Sequence, residues 1–579
     1  MATGCGVESE SSMQAYRKGA SVRLLDNQKA CLYGVPWRHN VRTVSALDAM
    51  DGVGVYYKHV PVPGLWTEEQ NTHVLKEMAA AGCKRIRYAA CHGMYLNAEW
   101  TAPSDHEQKE MDYILRGCKQ AGIRPTVTFV HIPAMGTGDE MHNWWDRSWN
   151  KGLMPIGRGV PGDAEYDAYF EKCYAALEAI AKSAREAGFT EASSYDLEIG
   201  QNLWWGFPAT PPFPGLTEAM LQPGGQVYEF GKALMERLRA AGYNEPMLWW
   251  SHCHHLAGRM SDKDMPAVAD GRAISIYGGY VGRTDDGWLG SDDPAAPAMS
   301  PTDAWPARPA YTWFHDVAPA MFLARPESYL ADYTRHDTLL PVINASKKPL
   351  SLTAIGAVPA DLQGAMVDSV DADGKKTRTK APGVDGWEIK SRALTRTLAF
   401  WLNQGSAYIL LHSAYEGADD EMSFSMIPEL KNPAAFSWKQ SQPLRTMHAL
   451  SSAFDGAQKL NKIKPLAFRY ELADDAELIP AVPMMGPLRA SDAMVILPFQ
   501  VTPTRYAVAV YVMTPNMFER LSPRQMTLEI SAAIPGDVRT LVPTTQTEGK
   551  ATVLSRAAAT TTVQFDVSDD VTMLIFDVK

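Results

Sequence analysis

Apolar and polar positions follow one recurring pattern between residues 51 and 459. A short apolar, β-branched run leads into a polar or aromatic loop. An amphipathic stretch of helical period follows. Eight such units can be counted. The expected strands are Gly52–Tyr57, Lys84–Ala89, Arg124–Val130, Ser194–Gly200, Met247–Ser251, Ala273–Tyr277, Leu350–Ile355 and Ala407–His412. The expected helices begin at Thr67, where Thr67-Glu68-Glu69-Gln70 reads as a capping box. Val74, Leu75, Met78 and Ala81 line one face before the stop at Gly82. Further helices are expected over His106–Ala121, Glu165–Ala187, Val227–Ala241, Lys263–Ala269, Glu327–Leu340, Trp387–Asn403 and Leu444–Ala457.

Strands that alternate with helices imply parallel pairing through right-handed crossovers, and eight units suggest closure into a (β/α)8 TIM barrel over residues 51–459. An open doubly wound sheet fits less well. Tyr56-Tyr57-Lys58-His59 follows the first strand where that fold would carry a Gly-rich phosphate loop. After residue 460 the helical period vanishes. Leu466–Leu472, Ala493–Val501, Tyr506–Met513, Met526–Ser531, Thr561–Phe565 and Val571–Asp577 read as strands, giving a C-terminal antiparallel β-sandwich over 460–579. Phe499, Tyr506 and Tyr511 alternate there as core residues should. Residues 1–50 form an N-terminal extension, expected to add a strand to the β-domain or to cap the barrel floor. The polar stretch Asp368–Lys380 reads as an exposed loop over the seventh strand.

Composition narrows the class. With 46% hydrophobic and 21% charged residues, the 579-residue chain can build a large core. The net charge of −11 and the lack of a basic stripe argue against a nucleic-acid partner. No run approaches roughly 18 uninterrupted apolar residues, so no membrane span is expected. The seven cysteines show neither metal nor disulfide spacing. Cys83 and Cys118, just ahead of strands, are expected in the core. Ala2-Thr3-Gly4-Cys5, followed by polar Glu8 to Ser12, resembles the end of a bacterial lipobox. That suggests an exported lipoprotein, periplasmic or on the cell surface, with a cytoplasmic N-terminus as the other reading.

Barrel enzymes work at the C-terminal ends of their strands. Strand one delivers Tyr57, Lys58 and His59 there; strand two delivers Arg87, Tyr88 and His92. Strand three delivers His131, and strand four delivers Asp196, Glu198, Asn202, Trp204 and Trp205. Strand five delivers Trp249, Trp250, His252 and His254, strand six Tyr277, strand seven only Thr353. Strand eight delivers His412, Tyr415 and Glu416. Aromatic rings stack on sugar rings, while imidazole, amide and carboxylate groups bond hydroxyls. The expected partner is therefore a carbohydrate, with Arg87, His92, His131, Asn202, Trp204, Trp205, Trp250, His252, Tyr277 and His412 as binding residues. His252 and His254 share one strand face. Without a fixed third ligand they read as sugar-binding, and neither a metal nor an organic cofactor is expected.

Asp196 and Glu198, two apart on a strand, face the same way. Side by side at the barrel mouth, they would raise one pKa and make a general acid near neutral pH. The other reading is an ion pair inside the barrel with Arg87 or Lys58. The eight-fold pattern with its C-terminal sandwich resembles the clan A glycoside hydrolases of families 5, 30, 39 and 79. The resemblance implies an acid/base Glu after strand four and a nucleophilic Glu at the end of strand seven. Glu198-Ile199-Gly200-Gln201-Asn202 has the shape of the first motif, with Gln201 and Asn202 replacing its Asn and Glu. Pro349-Leu350-Ser351-Leu352-Thr353-Ala354-Ile355 has no carboxylate, so the retaining mechanism does not transfer. Glu198, Glu416 and Asp196 are the catalytic candidates for a glycoside hydrolase acting on a poly- or oligosaccharide. The alternatives are a barrel that only binds glycans and a lyase using His131, His412 or Tyr277. A further one is an Asp-x-Glu acid of the family 18 chitinase type at Asp196-Leu197-Glu198, where Glu191 and Ser194 depart from the motif.

Overall fold

The computed structural model describes residues 43–58, 66–90, 105–129, 159–191, 194–199, 223–253, 265–277, 331–332, 337–338, 347–356, 366–370, 376–380, 383, 385–403, 405–415, 425–427, 432–479, 488–491, 493–512 and 520–579. Eight parallel strands close into a barrel. They are β1 (Val53–Lys58), β2 (Arg85–Ala90), β3 (Arg124–Phe129), β4 (Asp196–Ile199), β5 (Met247–Cys253), β6 (Gly271–Tyr277), β7 (Leu350–Gly356) and β8 (Tyr408–Tyr415). Each pairs with its sequence neighbours, and β8 returns to β1 with Leu410 opposite Gly54. Around them lie α2 (Glu68–Ala80), α3 (Asp105–Ala121), α4 (Ala164–Glu186), α5 (Gln226–Ala240), α6 (Gly386–Asn403) and α7 (Gln442–Ser452), with α1 (Ala46–Asp51) preceding β1.

The expected local signals operate. Thr67 and Gln70 form the reciprocal capping box at the start of α2. Val74, Leu75, Met78 and Ala81 are fully buried, and Gly82 ends the helix at a φ of 99°. On α5, Gly231 lets Trp249 of β5 approach: a Cβ there would stand 2.5 Å from the indole. Trp249 also meets Tyr228 edge-on at 5.7 Å, so its ring fills the layer between strand and helix. Cys83 and Cys118 are buried and free, as expected.

The C-terminal strands are β9 (Phe468–Leu472), β10 (Met494–Gln500), β11 (Arg505–Val512), β12 (Arg524–Ile530), β13 (Arg539–Val542), β14 (Thr547–Lys550), β15 (Thr552–Arg556), β16 (Thr561–Val567) and β17 (Thr572–Asp577). They form two sheets, ordered β10-β11-β17-β13-β14 and β9-β12-β16-β15. The two-residue strand Val44–Ser45 joins the first sheet, parallel to β10. Phe499, Tyr506 and Tyr511 are buried in this domain. Strands β13, β14 and β15 were not expected. β14 is exposed along its whole length and carries no apolar alternation to reveal it.

Helix α6 joins the two parts. Residues Ile389 to Asn403 are all buried, because the helix lies between the barrel and the sandwich. Asn403 donates to the Pro498 carbonyl of β10 at 3.1 Å. Arg392 is ion-paired to Asp569, in the β16–β17 turn.

Three expectations need correction. Residues 265–269, expected to complete a short helix, form a turn around Pro266. Within the expected helix Glu327–Leu340, Ala331–Asp332 and Asp337–Thr338 pair as antiparallel strands. Leu330, Leu339 and Leu340 do not recur at helical spacing. The expected loop Asp368–Lys380 contains most of a hairpin, in which Met366–Val370 pairs with Lys376–Lys380. In the sequence, Asp371-Ala372-Asp373-Gly374 between those strands has the composition that favours turns.

Candidate active site

Period-two alternation decides which strand residues enter the barrel. On β1, Tyr56 faces inward, whereas Tyr57 faces α2 and donates to Asn71 at 3.2 Å. On β2, Arg87 faces inward, whereas Tyr88 reaches Glu110 of α3 at 3.4 Å. Tyr57, Tyr88 and Trp249, expected at the mouth, thus belong to the strand–helix layer.

Glu198 is fully enclosed at the barrel centre. Its carboxylate accepts from Arg87 Nε at 2.7 Å, from Thr128 Oγ1 at 2.5 Å and from Thr353 Oγ1 at 2.7 Å. Strands β2, β3, β4 and β7 therefore converge on one carboxylate. Arg87 also lies over the Tyr56 ring, with Cζ 4.9 Å from its centroid. Tyr56 in turn meets His412 of β8 at 5.3 Å, and His412 is 4% exposed. The guanidinium links the carboxylate to this aromatic pair, so charge and ring positions are set together.

Asp196 lies one layer lower, at the N-terminal start of β4. It is ion-paired with Arg85 at 2.9 Å and with Arg124. Burial pushes its carboxyl above the usual range, and the Arg124 and Arg85 guanidiniums oppose that rise. Arg85 lies 4.4 Å over the Tyr408 ring, whose phenol burial pushes upward. Thr126 donates to the Tyr408 hydroxyl at 3.3 Å. The two carboxylates share a strand face, yet each has its own guanidinium partners.

Of the other expected site residues, Trp250 and His252 lie on β5 and Tyr277 ends β6. His92, His131, Asn202, Trp204, Trp205 and Glu416 lie outside the described residues, as do His59 and His254. Sequence reading missed Thr128, Thr126, Tyr56 and Tyr408 as interior residues. The alternation around Arg87 and Glu198 was the signal available for them. Among the described residues, no cluster of three or more His, Cys, Asp and Glu side chains is placed to hold a metal ion. Among them, too, no helix is long and apolar enough to cross a membrane.

The closed parallel barrel followed by antiparallel sheets is the fold expected from the sequence. No family model and no curated relative matches the chain. Among solved structures it is similar to a glycoside hydrolase at 11% identity, over 94% of this chain and 98% of that one, with a TM-score of 0.43. It is also similar to a maltogenic α-amylase from Thermotoga neapolitana at 9% identity, covering 91% and 99%, with a TM-score of 0.41. A GH51 α-L-arabinofuranosidase from Thermotoga petrophila RKU-1 is 10% identical, covering 92% and 97%, with a TM-score of 0.42.

Proposed function

We propose that the chain is a glycoside hydrolase acting on a poly- or oligosaccharide at the C-terminal end of its barrel. The observation that carries this reading is the Glu198 carboxylate, bound by Arg87, Thr128 and Thr353 directly beneath the strand ends. Both carboxylate oxygens of Glu198 are already engaged, Oε2 by Arg87 and Thr128 and Oε1 by Thr353. Glu198 is therefore assigned to positioning: it fixes the end of β4, from which the chain runs on to Asn202, Trp204 and Trp205. Asp196 plays the same part for the floor, neutralising Arg85 and Arg124.

Proton transfer is assigned to Glu416, the residue that follows the last position of β8. Arg87 and His412 complete the inner wall. His92, His131, Trp250, His252 and Tyr277 bind sugar hydroxyls and ring faces, as their chemistry suits them to do. An exported, glycan-degrading role agrees with the lipobox-like Ala2-Thr3-Gly4-Cys5.

The test is hydrolysis of a panel of aryl glycosides and plant, algal and bacterial glycans by the parent and by Glu416→Gln. The expected result is turnover by the parent and a loss of about 10³-fold in kcat for the variant. Glycan binding without turnover would replace this reading with a binding-only barrel. An unsaturated, ultraviolet-absorbing product would replace it with a lyase.

A further inference from the structure

One side of the sandwich ends in an open edge. Among the described residues, β14 pairs only with β13, and it is exposed along its whole length. The register sets Arg539 opposite Lys550, Thr540 opposite Gly549 and Leu541 opposite Glu548. In the same register, the Ala551 amide donates to the Val538 carbonyl at 2.9 Å. Hydrogen-bonding positions alternate along an antiparallel ladder, so Gly549 and Thr547 turn their backbone groups toward β13. Glu548 and Lys550 turn theirs outward, where they form a template for a further strand. β15, which follows directly after Ala551, offers no such run, because its register shifts between Val553 and Ser555.

The sequence of this edge suits a second copy of the chain. Antiparallel docking about a two-fold axis can centre on Glu548, on Gly549 or on Lys550. Centring on Glu548 or on Lys550 sets like charges directly opposite each other, which is unfavourable. Centring on Gly549 sets each Glu548 opposite Lys550 of the second copy and pairs the outward amides and carbonyls of both residues. The axis then falls on a non-hydrogen-bonded pair, where side chains crowd most, and Gly549 has none. Lys550 also bonds Asp537 at 2.5 Å, but at 67% and 64% side-chain exposure that pair holds it weakly. We propose that β14 is a dimerisation edge: two copies of this chain pair antiparallel across Gly549 and join their six-stranded sheets into one.

The experiment is sedimentation velocity on the full chain, on Glu548→Lys, on Lys550→Glu and on an equimolar mixture of the two variants. At low salt the parent is expected to dimerise with a Kd of about 100 µM or tighter, as a small edge-to-edge interface allows. Added salt should weaken it at least about threefold, because the cross-strand charges stand in water. Each single reversal sets like charges opposite each other and should raise the Kd at least about tenfold. In the mixture each variant supplies the charge that the other lacks, so a heterodimer should form with a Kd within about threefold of the parent's. Both side chains are exposed, so the variants are expected to fold as the parent does. A parent that stays monomeric up to about 500 µM overturns the proposal and leaves the edge to a strand of another protein or to water. Dimerisation indifferent to the single reversals overturns the role of β14. Loss in both variants without recovery in the mixture overturns the register centred on Gly549.

Discussion

Arg87 and Glu198 meet at 2.7 Å in the barrel centre, and neither side chain has any solvent exposure. Two enclosed charges are tolerable only as a pair, since removing one leaves the other without its compensating charge in a low-dielectric interior. Arg87→Met is therefore expected to cost about 3–5 kcal/mol of unfolding free energy. Glu198→Gln should cost less than Glu198→Leu, because the amide oxygen can still accept from Thr128 while the amide NH2 donates to the Thr353 hydroxyl. The double variant Arg87→Met/Glu198→Leu should be more stable than the sum of its parts predicts. Urea titrations of the four proteins measure this coupling. Strictly additive losses would mean that the pair contributes nothing as a pair.

The barrel and the sandwich are joined by a second enclosed pair, Arg392 of α6 with Asp569, at 1% and 2% side-chain exposure. Asp569 also accepts from the Leu521 amide at 2.9 Å, and Arg520 bonds Glu388 of α6 at 2.6 Å. The turn between β16 and β17 is thus seated on the helix that packs against β8. Asp569→Asn should cost about 3–5 kcal/mol and loosen this joint. Differential scanning calorimetry should show one cooperative transition for the parent and a broadened or split one for the variant. A sharp, unsplit transition at an unchanged Tm would show that the pair does not couple the domains.

Much of this architecture was legible in the chain, because strand and helix rhythms are local signals. The capping box at Thr67 and Gln70, the stop at Gly82 and the eight barrel strands follow from residues close in sequence. An ion pair with Arg87 is one of the two readings that the sequence allows for Asp196 and Glu198, but which of them takes it, and that Arg85 and Arg124 hold the other, could not be read. Asp196 and Glu198 have the same spacing and side-chain class, yet one lies at the floor with Arg85 and Arg124 and the other a layer higher with Arg87. Those partners come from other strands, and the register between strands is set by closure of the whole barrel. Likewise, α6 carries Arg392 and Arg396, which meet Asp569 and the Tyr511 ring, at positions that an amphipathic reading would give to solvent. They are buried because a second domain covers that face.

Asp570 gives the joint a pH dependence of defined sign. Burial pushes its carboxyl up, the neighbouring Asp569 charge adds to the rise, and Arg392, the Thr544 hydroxyl and Arg520 oppose it. Thr544 donates to it at 2.9 Å, and Arg520 stands 3.7 Å away. The folded chain therefore holds this proton more tightly than the unfolded chain does. The stabilisation is fully present below the unfolded carboxyl pKa of about 3.9, and is lost as the pH rises through the higher native value. Asp570→Asn resembles the protonated form at every pH and keeps an oxygen for Thr544. Its Tm relative to the parent should therefore become more favourable between roughly pH 4 and pH 7. Melting curves of both proteins across that window check the sign. A difference that is flat or that runs the other way would show that the guanidiniums outweigh burial at Asp570.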